Sequence, residues 1–123
     1  MVRFVVSIKL KPGAKEVLNL PGIWEGLSGI DTPGKLAFHA GFNRTDAHFG
    51  ERSLAGGLQQ IAWSFAVVID FVDLEAFEAW FDHPDHYRIS GHVEEYVEDT
   101  SRVIYDIPDG RPQRIPRGRN PFS

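Results

Sequence analysis

Between residues 61 and 71 the chain reads Ile-Ala-Trp-Ser-Phe-Ala-Val-Val-Ile-Asp-Phe, and this stretch constrains the fold more than any other. Trp63, Phe65, Val67, Ile69 and Phe71 make one face of large apolar side chains, while Ser64, Ala66, Val68 and Asp70 make a second face of small ones. Alternation of β-branched and aromatic residues predicts a strand over Ile61–Phe71. A strand without a solvated face needs cover on both sides. It is therefore expected either at the centre of a sheet, or in a sheet that packs on helices on one side and on another sheet opposite.

Three further strands are predicted around it. Val2–Lys11 alternates and stops at Pro12-Gly13, with Phe4, Val6, Ile8 and Leu10 on one face and Arg3, Val5, Ser7 and Lys9 on the other. Lys35–Phe42 follows the turn Asp31-Thr32-Pro33-Gly34 and puts Leu36, Phe38, Ala40 and Phe42 on one side and His39 on the other. Thr100–Ile107 is the last strand. Helical spacing is weak over Ala14–Ile30, where Pro21-Gly22 interrupts it and predicts a restart near Pro21. It is clear over Leu74–Phe81, with Asp73 as N-cap and Leu74, Phe77, Trp80 and Phe81 on the buried side. Asp82-His83-Pro84 ends that helix and starts another, predicted to run to about Glu98. Asn43–Gln60 is a long polar connection, a length usually reserved for function or mobility.

The 123 residues suffice for one domain. Residues 1–107 are read as that domain, and residues 108–123, with four prolines and four arginines, as an extended basic tail. Charge divides in the same way: residues 1–106 hold nine Lys/Arg against sixteen Asp/Glu, a balance of −7, and the remainder is +3. An acidic body argues against a nucleic-acid surface, which needs a basic face. No apolar run approaches the roughly 20 residues that span a bilayer. The segment MVRFVVSIKLKPG lacks a secretory layout, so the expectation is a cytoplasmic protein with no membrane partner. Absence of cysteine excludes disulfides and thiolate chemistry.

The predicted order is strand, weak helix, strand, long loop, strand, two helices, strand. This is an α+β chain with a four-stranded antiparallel sheet and helices on one face. The opposite face would still carry Val5, Ala37, Ala66, Val68 and Val103, an apolar patch that soluble monomers seldom expose. Pairing with a second copy would cover it, so a homodimer is expected.

The run Phe77-Glu-Ala-Trp-Phe-Asp-His-Pro-Asp-His86, followed by a helix and Arg102-Val-Ile-Tyr-Asp106, resembles the stress-responsive dimeric α/β-barrel (Dabb) family. Lys9-Leu-Lys11, Pro33-Gly34 and His83-Pro-Asp-His86 occur in that family's order, over roughly residues 2–107. The resemblance implies a ferredoxin-like subunit whose sheet joins its partner's in a closed barrel, with ligand space between sheet and helices. In cyclising members, of the olivetolic acid cyclase type, the second histidine of this turn is the catalytic base, which points to His86. Their helix tyrosine and first-strand histidine correspond here to Trp80 and Phe4, so the pocket wall is kept but made more apolar.

The residues themselves also single out His86. A helix from Pro84 places Ile89, Val93 and Tyr96/Val97 on the same face as His86, turning the imidazole toward the sheet. A neutral ring there can act as a general base; the competing reading makes His83 and His86 architectural caps. Trp80, Phe38, Trp63, Phe65 and Val67 are the expected apolar lining. Arg102 and Asp106 share one face of the last strand; if it turns inward, Arg102 holds a carboxylate or enolate and Asp106 orients it, and the competing reading leaves both at sheet ends in solvent. His83 and His86 lack a third ligand at a recognisable interval, so no metal is expected. His39 is placed on the dimer side and His48 in the long loop.

Two functions stay open at this point. One is a cofactor-free enzyme acting on an apolar aromatic or polyketide-like molecule by proton abstraction, leading to cyclisation, isomerisation or elimination. The other is a dimer that binds such a ligand without turnover. A third, haem or oxygen chemistry, finds no clear axial histidine.

Overall fold

A computed structural model describes residues 1–44 and 63–108. In chain order the elements are β1 (Val2–Leu10), α1 (Ala14–Val17), α2 (Leu20–Ser28), β2 (Lys35–Phe42), β3 (Phe65–Phe71), α3 (Leu74–Phe81), α4 (Pro84–Gly91), a short 3-10 turn (Glu94–Tyr96) and β4 (Val97–Asp106). The strands form one antiparallel sheet ordered β2-β3-β1-β4. β3, with its two apolar faces, lies between β2 and β1, as its pattern demands. Most of the Asn43–Gln60 connection, His48, Ile61, Ala62 and the tail beyond Pro108 lie outside the described residues.

One face of the sheet packs on the helices. Phe4 and Leu10 of β1, four residues of β3, Leu20, Ala76, Phe77, Trp80 and Ile89 are buried together. The Phe77 ring sits 4.9 Å from Phe4 and 5.7 Å from Phe71, and Trp80 retains only 2% of its exposure. α3 starts where its cap predicts, because the Asp73 carboxylate accepts the Ala76 amide at 2.8 Å. α2 carries Pro21 in its first turn and is capped by Asn19, which accepts the Gly22 amide. At its far end Lys35 donates to the carbonyls of Ser28 and Ile30, satisfying helix-terminal acceptors.

The structure departs from the sequence reading at four places. Leu36, expected inside with Phe38, is 56% exposed, because the β2–β3 register shifts between Lys35 and Ala37 and leaves Leu36 as the extra residue of a bulge. Leu74, expected on the buried side, is 48% exposed; α3's first turn overhangs a shallow depression with Met1, Val2 and Val72. The second helix ends at Gly91 rather than near Glu98, and β4 begins at Val97 rather than Thr100. There strand pairing overrides helical spacing: the Lys11 amide takes the Tyr96 carbonyl at 2.8 Å and Val97 enters the ladder opposite Leu10. Finally, β3 starts at Phe65 rather than Ile61. The Ser64 hydroxyl accepts the Leu10 amide, replacing the next rung of the ladder.

The other sheet face has no described element over it. Its register sets side chains in rows of four: Ala37–Asp70–Arg3–Tyr105, then His39–Val68–Val5–Val103, then Gly41–Ala66–Ser7–Ser101. The middle row carries Val5, Val68 and Val103 of the expected apolar patch, with His39 at its end, while Ala37 and Ala66 lie in the rows on either side. In the first row Arg3 grips Asp70 with two nitrogens, at 2.7 and 3.0 Å, and these hydrogen bonds hold the Asp70 carboxyl below the usual carboxylate range.

Candidate active site

α3 and α4 meet at the turn Asp82-His83, and this turn sets the site. The two histidines of the turn do different things. His83 is the N-cap of α4, its Nδ1 accepting the Asp85 amide at 3.0 Å. That ring is architectural. His86, one turn further along, points toward the sheet, as the helical spacing predicts. Its ring stands 4.8 Å from Trp80 and 4.8 Å from Phe81, centroid to centroid. Its Nδ1 is buried with no hydrogen-bond partner among the described residues, and the residue lines the adjoining groove.

That groove has a volume of about 520 Å³. Phe4, Val6 and Ile8 of β1 and Phe65 of β3 form its floor. Phe81, His86, Tyr87, Ser90 and Val93 form the helical wall, and Glu94, Val97, Thr100 and Arg102 the opposite rim. The groove exists because β4 is an edge strand. Its inner face carries Thr100, Arg102 and Ile104 beside Ile8, Val6 and Phe4, and the helices cover the sheet without reaching over it.

Burial shapes the electrostatics of His86. Desolvation holds its pKa below the usual histidine value, with a further lowering from the positive charge of Arg102. The Phe81 carbonyl and the Asp82 carboxylate act in the opposite sense without overcoming burial. A half-buried imidazole kept neutral is equipped to accept a proton near pH 7. Tyr87 follows it directly, its ring 5.5 Å from His86 and its hydroxyl 3.3 Å from an Asp82 oxygen. This phenol lies at the groove and can exchange a proton, as Trp80 cannot.

The predicted lining residues are brought together only in part. Phe65 and Arg102 line the groove with His86, and Trp80 backs the imidazole. Val67 is sealed in the core below, and Phe38 packs against that core from β2. Trp63 lies instead beside Ser7, Gly41, Phe42 and Ala66, in a separate depression toward the outer face, because strand alternation has ended by Ser64. Asp106 shares the inner face of β4 with Arg102 but is four residues along it, about 13 Å. It borders the depression near Met1, Val72 and Asp73, too far away to orient Arg102. Tyr87, Ser90, Glu94 and Thr100 also line the groove, beyond the residues expected from sequence. Tyr87 was discoverable, since it follows His86 on the same helix; Glu94 and Thr100 depend on how β4 pairs. Among the described residues, no three His, Asp or Glu side chains converge as a metal site, and no helix is long and apolar enough to cross a membrane.

No protein-family model matches this chain, and no curated protein matches it in sequence. Solved structures do resemble it in fold. A dimeric ferredoxin-like protein from Thermobifida fusca is 18% identical with a TM-score of 0.64, over 86% of this chain and 90% of that one. A hydroxynitrile lyase from Passiflora edulis is 17% identical with a TM-score of 0.63, over 90% and 96%. A Dabb family protein from Mesorhizobium loti, described as having a ferredoxin-like fold, is 21% identical with a TM-score of 0.60, over 86% and 95%. The chain thus has a ferredoxin-like α+β fold with an aromatic-walled groove between its sheet and helices.

Proposed function

We propose that this protein is a cofactor-independent enzyme of the Dabb type that removes a proton from an apolar aromatic or polyketide-like molecule. The reaction class is cyclisation, isomerisation or elimination, with His86 as the base, and the working unit is a homodimer. One observation carries this reading: a half-buried imidazole, its pKa lowered by burial, lines a groove floored by Phe4, Val6, Ile8 and Phe65. That arrangement can hold a carbon acid in an apolar site and take its proton. A hydroxynitrile lyase among chains of this fold supports small-molecule chemistry here. The uncovered outer row of valines, and the dimeric description of the Thermobifida fusca protein, support pairing through the sheet. The test is deuterium exchange at the acidic carbon of an aromatic diketone, followed by NMR. His86→Ala should slow catalysed exchange by roughly a hundredfold, the usual share of a general base. Exchange unaffected by this substitution rejects His86 as the base.

The second reading, a dimer that binds without turnover, draws on His83. Its Nδ1 caps α4 by accepting the Asp85 amide, so the His-Pro-x-His turn has a structural role independent of chemistry. Under that reading His86→Ala changes stability and ligand fit, and no exchange is catalysed by either form.

A further inference from the structure

The groove is apolar on its floor but carries one cation, and that cation bears on what binds there. Arg102 lies on the inner face of β4 directly beside Val6, so its side chain enters the groove from the rim opposite α4. It has no ion-pair or hydrogen-bond partner among the described residues. Arg3, by contrast, is paired with Asp70 and Arg88 with Asp85. Among the described residues Glu94 is the one carboxylate on the groove's rim, and it makes no ion pair with Arg102. A guanidinium presents a planar fork of donors that matches a carboxylate with two parallel hydrogen bonds. Arg102 is exposed at the rim, so a pair formed there is open to screening by salt.

From this geometry we infer that the groove selects apolar molecules bearing a carboxylate, with the apolar body on Phe4, Val6, Ile8 and Phe65 and the carboxylate on Arg102. The inference rests on the reading of the His86 groove as a ligand site and adds the charge of the ligand to it. It also gives Arg102 a second effect. Unpaired, its positive charge opposes protonation of His86. An anion seated on Arg102 neutralises that charge, so binding the substrate strengthens the base that acts on it. Arg102 is then a specificity-determining residue.

Calorimetry with naphthylacetate and its neutral amide, naphthylacetamide, tests this with two ligands of the same apolar body. The wild-type protein should bind the acid about tenfold or more tightly than the amide. In R102Q the preference should disappear, acid affinity falling to that of the amide. Rising salt should weaken the acid and not the amide in the wild-type protein, a readout that needs no variant to fold. Ser90→Trp, which fills the groove from α4, should abolish both. Equal affinity of the two ligands, a preference that survives R102Q, or acid binding that survives S90W overturns the inference and leaves the base role of His86 standing. Failure of both ligands to bind overturns the ligand-groove reading itself, and the inference with it.

Discussion

At the residue scale the protein is organised around one titratable ring. His86 is packed between Trp80 and Phe81, and burial is the largest influence on its proton affinity. The consequence for stability has a definite sign. A depressed folded-state pKa means that, below the ordinary histidine value of 6.5, the unfolded chain takes up a proton that the folded chain resists. The contribution of a neutral His86 is therefore present above that pH and lost as the pH falls. Urea unfolding at pH 7.5 and 5.5 should show the wild-type protein losing more stability across the interval than His86→Gln. Parallel pH profiles for the two would mean that burial does not hold the ring neutral. Asp70 differs in chemistry and pH range: Arg3 lowers its pKa, so its contribution disappears only as pH drops through the acidic carboxylate range.

At the element scale, local signals succeed where one segment decides its own conformation. α3 needs only Asp73 and the spacing of Phe77 and Trp80, and it forms over the predicted residues. The turn before β2 is another such place. Gly34 has φ +88, and a Cβ there would approach Ala76 Cβ to 2.7 Å and Val72 Cγ2 to 2.8 Å. Gly34→Ala thus combines left-handed backbone strain with a clash against α3, a total of roughly 2–5 kcal/mol. Thermal or denaturant unfolding checks this, and a loss below 1 kcal/mol would show that α3 yields easily. Local signals fail where two segments compete. Nothing in Tyr96-Val97-Glu98 forbids a helix, but pairing with β1 offers backbone hydrogen bonds along a ten-residue strand, and the helix stops at Gly91.

For the whole molecule the outer sheet face is the decisive surface. Val103, 38% exposed in the single chain, lies in the row with Val5 and Val68. If two sheets pack through this row, the solution mass is about 28 kDa, twice the 13.9 kDa chain. Val103→Glu would bury an unpaired carboxylate at the contact, at a cost of several kcal/mol, and light scattering should then find single chains. A wild-type protein that is a folded single chain at micromolar concentration rejects the pairing. The tail is tested in the same experiment. Removing residues 108–123 should leave a folded dimer, because β4 ends at Asp106 and Ile107 is tied to Met1 by backbone hydrogen bonds upstream of the cut. Loss of folding on truncation would make the tail part of the core.

The sequence alone determined the properties that depend on near neighbours along the chain. These include the order of strands and helices, the two apolar faces of β3, the cap of α3 and the inward turn of His86. Each follows from a period of 2 or 3.6 residues, or from a side chain reaching its own backbone a few residues away. The tertiary structure decided everything that requires a register between distant segments. Arg3 meets Asp70 across a separation of 67 residues, Leu36 is expelled by a bulge, and Arg102 joins His86 while Asp106 and Trp63 do not. Alternation states which side of a strand a residue takes, but not which residue of another strand lies beside it. That second fact is set by hydrogen-bond pairing between strands, and it places the cation in the groove.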